Sequence, residues 1–458
     1  MTRRALVIGL DCASPRLIFG SDAPSLPNLR RLMDAGSWGL LRSCDPPITI
    51  PAWSCMMSGL DPGTLGCYGF QYHDERGYGP GRLSTSDTIR APRIWDLLSD
   101  AGKRVCVIGV PQTYPPYAVN GVMVSGLLTP DPSTQFTYPP KLKDELARDI
   151  GGYIIDAENF RTNDKDALLD RIRALMNNRF DVAEYLLARE RWDFFMVVDM
   201  SIDRLHHAFW RYWDTEHPQF KSGNPYAEVI PRHYEEIDAR IGRLLDLVGD
   251  DATIFVVSDH GARAVHGGFC INQWLVERGY LVLKEDPRGP APLRPEMVDW
   301  PRTTAWAAGG YCARITLNVR GREPEGCVDP SEFEAVCGRL TAGLREINGP
   351  SDQVVGNQVI TPDETYREVR GIAPDLIAYI GGMSWRAVGQ VGMPGLFTVT
   401  NDTGPDDANH DFNGVFIAAG GAVRRRGEVS GISIYDVAPT LLEILGEPDR
   451  SLPGCSLA

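Results

Sequence analysis

The sequence predicts an α/β protein with a mostly parallel sheet flanked by helices and a smaller α+β unit inserted into it. Three observations carry this expectation. Short apolar runs rich in Val, Ile and Phe recur without strict alternation, as strands covered on both faces do. Amphipathic helical stretches lie between them, the rhythm of a parallel sheet. The rhythm then breaks over residues 284–400 and resumes near Asn409.

Taken in order, the expected strands are Ala5–Asp11, Arg104–Val110, Phe194–Asp199, Thr253–Ser258 and Gly414–Ala419. The expected helices are Pro27–Ala35, Ala52–Gly59, Ile94–Ala101, Ala167–Arg189, Tyr234–Leu247 and Asp436–Leu445. Gly36, Gly102, Gly249 and Gly446 fall where helix C-caps belong. Pro111–Gly152, rich in Pro, Tyr and Gly, reads as a loop or lid over the sheet edge. Residues 1–283 and 401–458 are therefore expected to form a discontinuous core, and 284–400, with its Pro-rich run Pro287–Pro301, an inserted smaller or cap domain.

Composition narrows the function. With 458 residues the chain exceeds what one compact core usually holds. A formal net charge of −14 argues against a nucleic-acid polymer as partner, which calls for a basic face. An anionic substrate would then need local positive charge, which bound metal ions supply. No run of about 18 apolar residues exists to span a membrane. The start Met1-Thr2-Arg3-Arg4 leads into an apolar run that meets Asp11 too soon for a signal segment. Ten cysteines at irregular spacings, with no CxxC pair, read as free thiols in a reducing compartment, so a cytoplasmic location is expected. Oligomeric state is not encoded in any motif.

In doubly wound sheets, ligand-binding residues gather just beyond the carboxyl ends of strands. Here those ends deliver carboxylates and imidazoles. Asp11 closes the first strand; Asp259 and His260 follow the fourth in Ser258-Asp259-His260-Gly261; Asp203 and His207 follow the third, spaced i, i+4 on one helical face; His410 precedes the last. Each alone has a plain structural explanation: a cap, a turn, a side-chain hydrogen bond. As a set they form a donor group suited to Zn²⁺ or a similar divalent ion, with Mn²⁺ or Fe²⁺ able to substitute. Thr49 lies in Pro46-Pro47-Ile48-Thr49-Ile50-Pro51-Ala52-Trp53, just before an expected helix N-terminus. A helix N-terminus favours an anion. A cation on the hydroxyl would make an alkoxide accessible. From this segment alone, an ordinary capping threonine is the simpler reading.

The sequence resembles the alkaline phosphatase superfamily, in the branch of type I phosphodiesterases/nucleotide pyrophosphatases and predicted phosphohydrolase/phosphomutase proteins. The resemblance spans nearly the whole chain. It rests on Leu10-Asp11, the Thr49 segment through Ser54, Gly59-Leu60-Asp61-Pro62-Gly63, Asp203 through Trp210, Ser258 through Gly261 and Asn409-His410. Further matches are Thr316 through Gly326, Ala373 through Ile377 and Tyr435 through Leu442. It implies an alkaline phosphatase-like fold and two divalent cations. One would be held by Asp203, His207 and His410, the other by Asp11, Asp259, His260 and the Thr49 oxygen. It also implies Thr49 as nucleophile, a phosphothreonine intermediate, and a small-molecule phosphate ester as substrate, most naturally a phosphodiester or nucleotide-type bond.

A phosphomonoesterase, phosphomutase or phosphoryl transferase could use the same site, and a non-catalytic metal- or anion-binding protein is the alternative from another class. A sulfatase is disfavoured, because Thr49 stands where Cys or Ser is needed. A dinucleotide-binding oxidoreductase is disfavoured because Gly9-Leu10-Asp11-Cys12-Ala13-Ser14 lacks the glycine fingerprint. Nucleotide pyrophosphatases carry a phosphate-contacting Asn near the position of Phe70; here Gln71 is the nearest amide, which puts nucleotide substrates in doubt. Trp53, Phe70 and Tyr72 could stack on a base or simply pack. His206 is expected to pack, and His266 is a weaker candidate for the pocket wall.

Overall fold

The computed structural model describes residues 4–424 and 426–457. Residues Met1 to Arg3, part of the start read above, lie outside them. The strands that place the site are β1 (Arg4–Leu10), β2 (Ser37–Arg42), β3 (Val105–Ile108), β4 (Gly121–Val124), β5 (Phe194–Asp199) and β6 (Ala252–Val257). They continue with β7 (Gly261–Ala264), β8 (Ala305–Ala308), β9 (Ala313–Leu317), β10 (Leu376–Tyr379), β11 (Ala408–Asp411) and β12 (Asn413–Ala419). The main helices are α1 (Pro27–Ala35), α2 (Thr49–Ser58), α3 (Lys165–Arg189), α4 (Ser201–Trp213), α5 (Val229–Val248) and α6 (Val437–Leu445).

The large sheet runs β2-β12-β6-β1-β5-β3-β4. β1 pairs in parallel with both β5 and β6, and β5 and β4 are parallel to β3. β12 is antiparallel to β6 and to β2. Every residue of β5 and β6 is buried, which explains their near-continuous apolar character. The expected α/β architecture is the one observed.

Two helices begin earlier than expected for one reason. α2 starts at Thr49 rather than Ala52, and α5 at Val229 rather than Tyr234. Pro51 and Pro231 both fall in first turns, where a missing N–H breaks no helical bond. Pro111–Gly152 does not form a lid. It supplies β4 and the short strand Thr137–Tyr138, so it builds the sheet edge itself.

A second apolar cluster, from Phe269 to Val391, lies apart from the main core. Around it β8, β9, β10 and Gln358–Ile360 form a four-stranded antiparallel sheet. Among the described residues no helix is long and apolar enough to cross a membrane.

Candidate functional site

The parallel strands deliver their carboxyl ends to one edge of the sheet. Asp11 follows β1, the turn Ser258–His260 follows β6, and β5 leads into α4 with Asp203 in its first turn and His207 one turn later. His410 arrives differently. It sits on β11, which pairs with β7 so that His410 is opposite Ala262, two residues beyond His260. Thr49 is the first residue of α2.

The structure brings all seven of these residues together, and all are buried. Asp203, His260 and His410 offer ligand atoms within 4.8 Å of one another, as do Asp11, Asp259 and His260. His260 is thus common to both compact triads. His207 joins through Asp203, with Nε2 3.3 Å from Oδ1. Thr49 Oγ1 lies 3.3 Å from His260 Nε2. Thr49 is not a capping residue: Ile48 holds the N-cap position, and the first helical bond runs from Ala52 N–H to Ile48 O.

Each ligand candidate spends one polar atom on the protein and turns the other inward. Trp53 Nε1 donates to Asp11 Oδ2 at 2.7 Å. The Cys12 amide donates to Asp259 Oδ1 at 3.1 Å. Arg204 Nη1 donates to Asp203 Oδ2 at 2.6 Å. The three Nδ1 atoms face oxygens: His207 to Asp406 Oδ1 at 2.7 Å, His260 to Gly261 O at 3.1 Å and His410 to Pro47 O at 2.7 Å. That arrangement keeps a proton on each Nδ1 and turns Nε2 toward the cluster. Asp11 Oδ1, Asp203 Oδ1, Asp259 Oδ2, His207 Nε2 and His410 Nε2 are buried without a hydrogen-bond partner. Buried polar atoms are seldom left so. A convergent set of carboxylate oxygens and imidazole nitrogens fits a divalent cation.

The electrostatics point the same way. Burial, reinforced by Asp259, pushes the Asp11 carboxyl well above its ordinary range. Burial alone would also raise Asp203, but His207 and Arg204 outweigh it and hold that carboxyl low. Against the opposing effect of burial, Asp406 and Asp203 lift His207 to about 9, and Asp259 lifts His260 to about 9. Burial and the nearby His260 push His410 well below its usual value. Three acids in one dry volume demand positive charge.

Several contributors were not legible as such. Trp53 is fully buried and serves as the Asp11 donor, so it offers no platform for a base. Asp406 orients His207 and is itself held by Arg161 and Arg386. Its position four residues before His410 was the available signal. Tyr311 stacks on His410 at 3.7 Å, and His410 on His260 at 3.6 Å. His206 packs against Trp210 and Tyr234, with burial lowering its pKa to about 3. His266 is half-buried, edge-on to Trp385. Phe70 packs beside the cluster containing Ile48, while Gln71 and Tyr72 line a cavity.

Residues 5–412 match the type I phosphodiesterase / nucleotide pyrophosphatase family. The chain belongs to that family. It is accordingly an enzyme of phosphoric ester hydrolysis. Solved structures share its fold. Human ectonucleotide pyrophosphatase / phosphodiesterase 5 matches with a TM-score of 0.56 at 13% identity, over 99% of this chain and 97% of that one. The inactive murine counterpart in complex with AMP matches with 0.54 at 12% identity, over 99% and 97%. Phosphonoacetate hydrolase from Sinorhizobium meliloti 1021 in complex with phosphonoformate matches with 0.59 at 17% identity, over 97% and 96%. No curated protein sequence matches the chain.

Proposed function

We propose that this family member is a two-cation phosphodiesterase that cleaves phosphodiester or nucleotide-type bonds through a covalent phosphothreonine at Thr49. The observation that carries the reading is the convergence of five buried ligand atoms, none satisfied by a well-formed hydrogen bond, beside His260 and the Thr49 hydroxyl. The donor set suits Zn²⁺. Asp203, His207 and His410 would hold one cation, and Asp11, Asp259, His260 and Thr49 Oγ1 the other. Bound there, the cations would supply Lewis acidity to acidify the Thr49 hydroxyl and hold charge on the leaving oxygen.

The chain's own groups do the rest. Thr49 Oγ forms a bond to phosphorus as the ester P–O bond breaks. Water then cleaves the Oγ–P bond and restores the hydroxyl. The non-bridging oxygens meet the helix α2 amides of Thr49 and Ile50, which have no helical acceptor. Pro51 has no N–H, so these two amides are the first-turn donors left for the anion. Asp406, Gly261 O and Pro47 O keep three imidazoles in one tautomer. Segment 284–400, read as an inserted unit, reaches this centre through Tyr311 on His410. The complexes of structural neighbours with AMP and with phosphonoformate support a small phosphoryl substrate for this chain.

Thr49→Ala tests the reading. Turnover of bis-p-nitrophenyl phosphate should fall on the order of a thousandfold or more, with metal content by mass spectrometry retained. Near-normal turnover in that variant would remove Thr49 from the role of nucleophile.

A further inference from the structure

A large cavity lies apart from the ligand cluster. It measures about 1100 Å³ and lies between residues 64–91 and residues 292–403. Neither Thr49 nor any of the six candidate metal ligands lines it. One of its walls is the outer face of the β8–β9 ribbon. Pairing sets Trp306 opposite Thr316 and Ala308 opposite Arg314. These alternate with Ala305, Ala313, Ile315 and Leu317, which are buried in the second core, so Arg314 stands on the cavity side.

Arg314 differs from the other arginines there. Arg76, Arg294 and Arg370 each face a carboxylate, at 3.1, 3.0 and 2.8 Å, and Arg90 is exposed. Arg314 is half-buried, donates from Nη2 to Gly309 O at 3.3 Å, and keeps a buried Nε without a partner. Among the described residues no carboxylate pairs with it. Its guanidinium presses on Gly69, where a Cβ would fall 2.3 Å from Nη1. Removing a guanidinium from water without a counter-charge is costly unless an anion completes it. Tyr72 and Trp306, both half-buried and both lining the cavity, add ring faces.

Short stretches of chain join the cavity wall to the ligand cluster. Tyr311, stacked on His410, is three residues before Arg314, a span of at most about 11 Å. Phe70, beside Gly69, packs with Ile48, the residue before Thr49.

We propose that this cavity receives the part of the substrate remote from the scissile phosphorus, and that Arg314 binds a second phosphate carried there. The inference rests on the phosphodiesterase reading above. Its substrate class is a phosphodiester that carries a ring and a further phosphate remote from the bond cleaved.

Two inhibitors of bis-p-nitrophenyl phosphate hydrolysis test it: AMP and adenosine 2′,5′-bisphosphate, which differ by one phosphate remote from the 5′ end. In the wild type the bisphosphate should inhibit at least about tenfold more strongly, the scale of a charge-assisted contact. Arg314→Gln should bring the ratio of inhibition constants to about one, and Arg314→Lys should leave an intermediate ratio. A ratio near one in the wild type, or one that survives Arg314→Gln, overturns the subsite. Absence of wild-type turnover overturns the phosphodiesterase reading instead. Calorimetric binding of the same two nucleotides then still decides whether Arg314 discriminates between them.

Discussion

His207 presents its two ring nitrogens to two carboxylates, Nε2 to Asp203 and Nδ1 to Asp406. Only the first faces the centre. Asp406 fixes the ring and raises its basicity, the usual service of an outer carboxylate to a ligating imidazole. Asp406→Asn preserves shape and removes the charge. Cation affinity, measured by chelator competition, should drop by about tenfold or more. Unchanged affinity would reduce Asp406 to a packing residue. The same division of labour recurs at Asp11, whose Oδ2 belongs to Trp53 and whose Oδ1 stays inward.

At the scale of elements, the contact between β1 and α2 decides whether Thr49 and Asp11 share one volume. Trp53 lies one helical turn after Thr49, and its ring crosses β1 at Gly9. A Cβ on Gly9 would sit 2.5 Å from Trp53 Cη2 and 2.8 Å from Val198 Cγ2. Glycine is therefore required there by close approach. Gly9→Ala should cost about 1–3 kcal/mol of stability by overpacking, read as a lower midpoint in urea unfolding. It should also shift the Trp53 donor from Asp11. An unaltered midpoint would show that the helix can give way.

At the scale of the whole molecule, the metal-free centre couples stability to pH. His207 and His260 carry folded-state values of about 9, above the unfolded value of about 6.5. The folded state therefore binds more protons across that window, and stability falls as pH rises through it. Asp11, raised by burial, acts in the same direction. A cation must displace these protons, so its binding tightens with pH. Chelated protein should melt at a lower temperature at pH 8.5 than at pH 6.5, and the rise in Tm on adding Zn²⁺ should be larger at pH 8.5. Scanning calorimetry showing the reverse order would mean these imidazoles are neutral before the cation arrives.

The strand-and-helix rhythm and the motif positions are readable along the chain, because burial on both faces of β5 and β6 demands apolar runs and strand ends are where ligands collect. The family is readable there as well, since Asp11, Thr49, Asp203, His207, Asp259, His260 and His410 stand in local motifs. What each of those atoms faces is set by the folded arrangement. Asp406 on His207, Trp53 on Asp11 and Pro47 O on His410 are contacts between residues 42 to 363 positions apart. Arg314 is the same case, since nothing in its neighbours along the chain tells that, among the described residues, no carboxylate pairs with its guanidinium. Periodicity reports which side of an element is buried; hydrogen-bond partners across the sheet edge depend on how distant segments converge, and no local pattern records that.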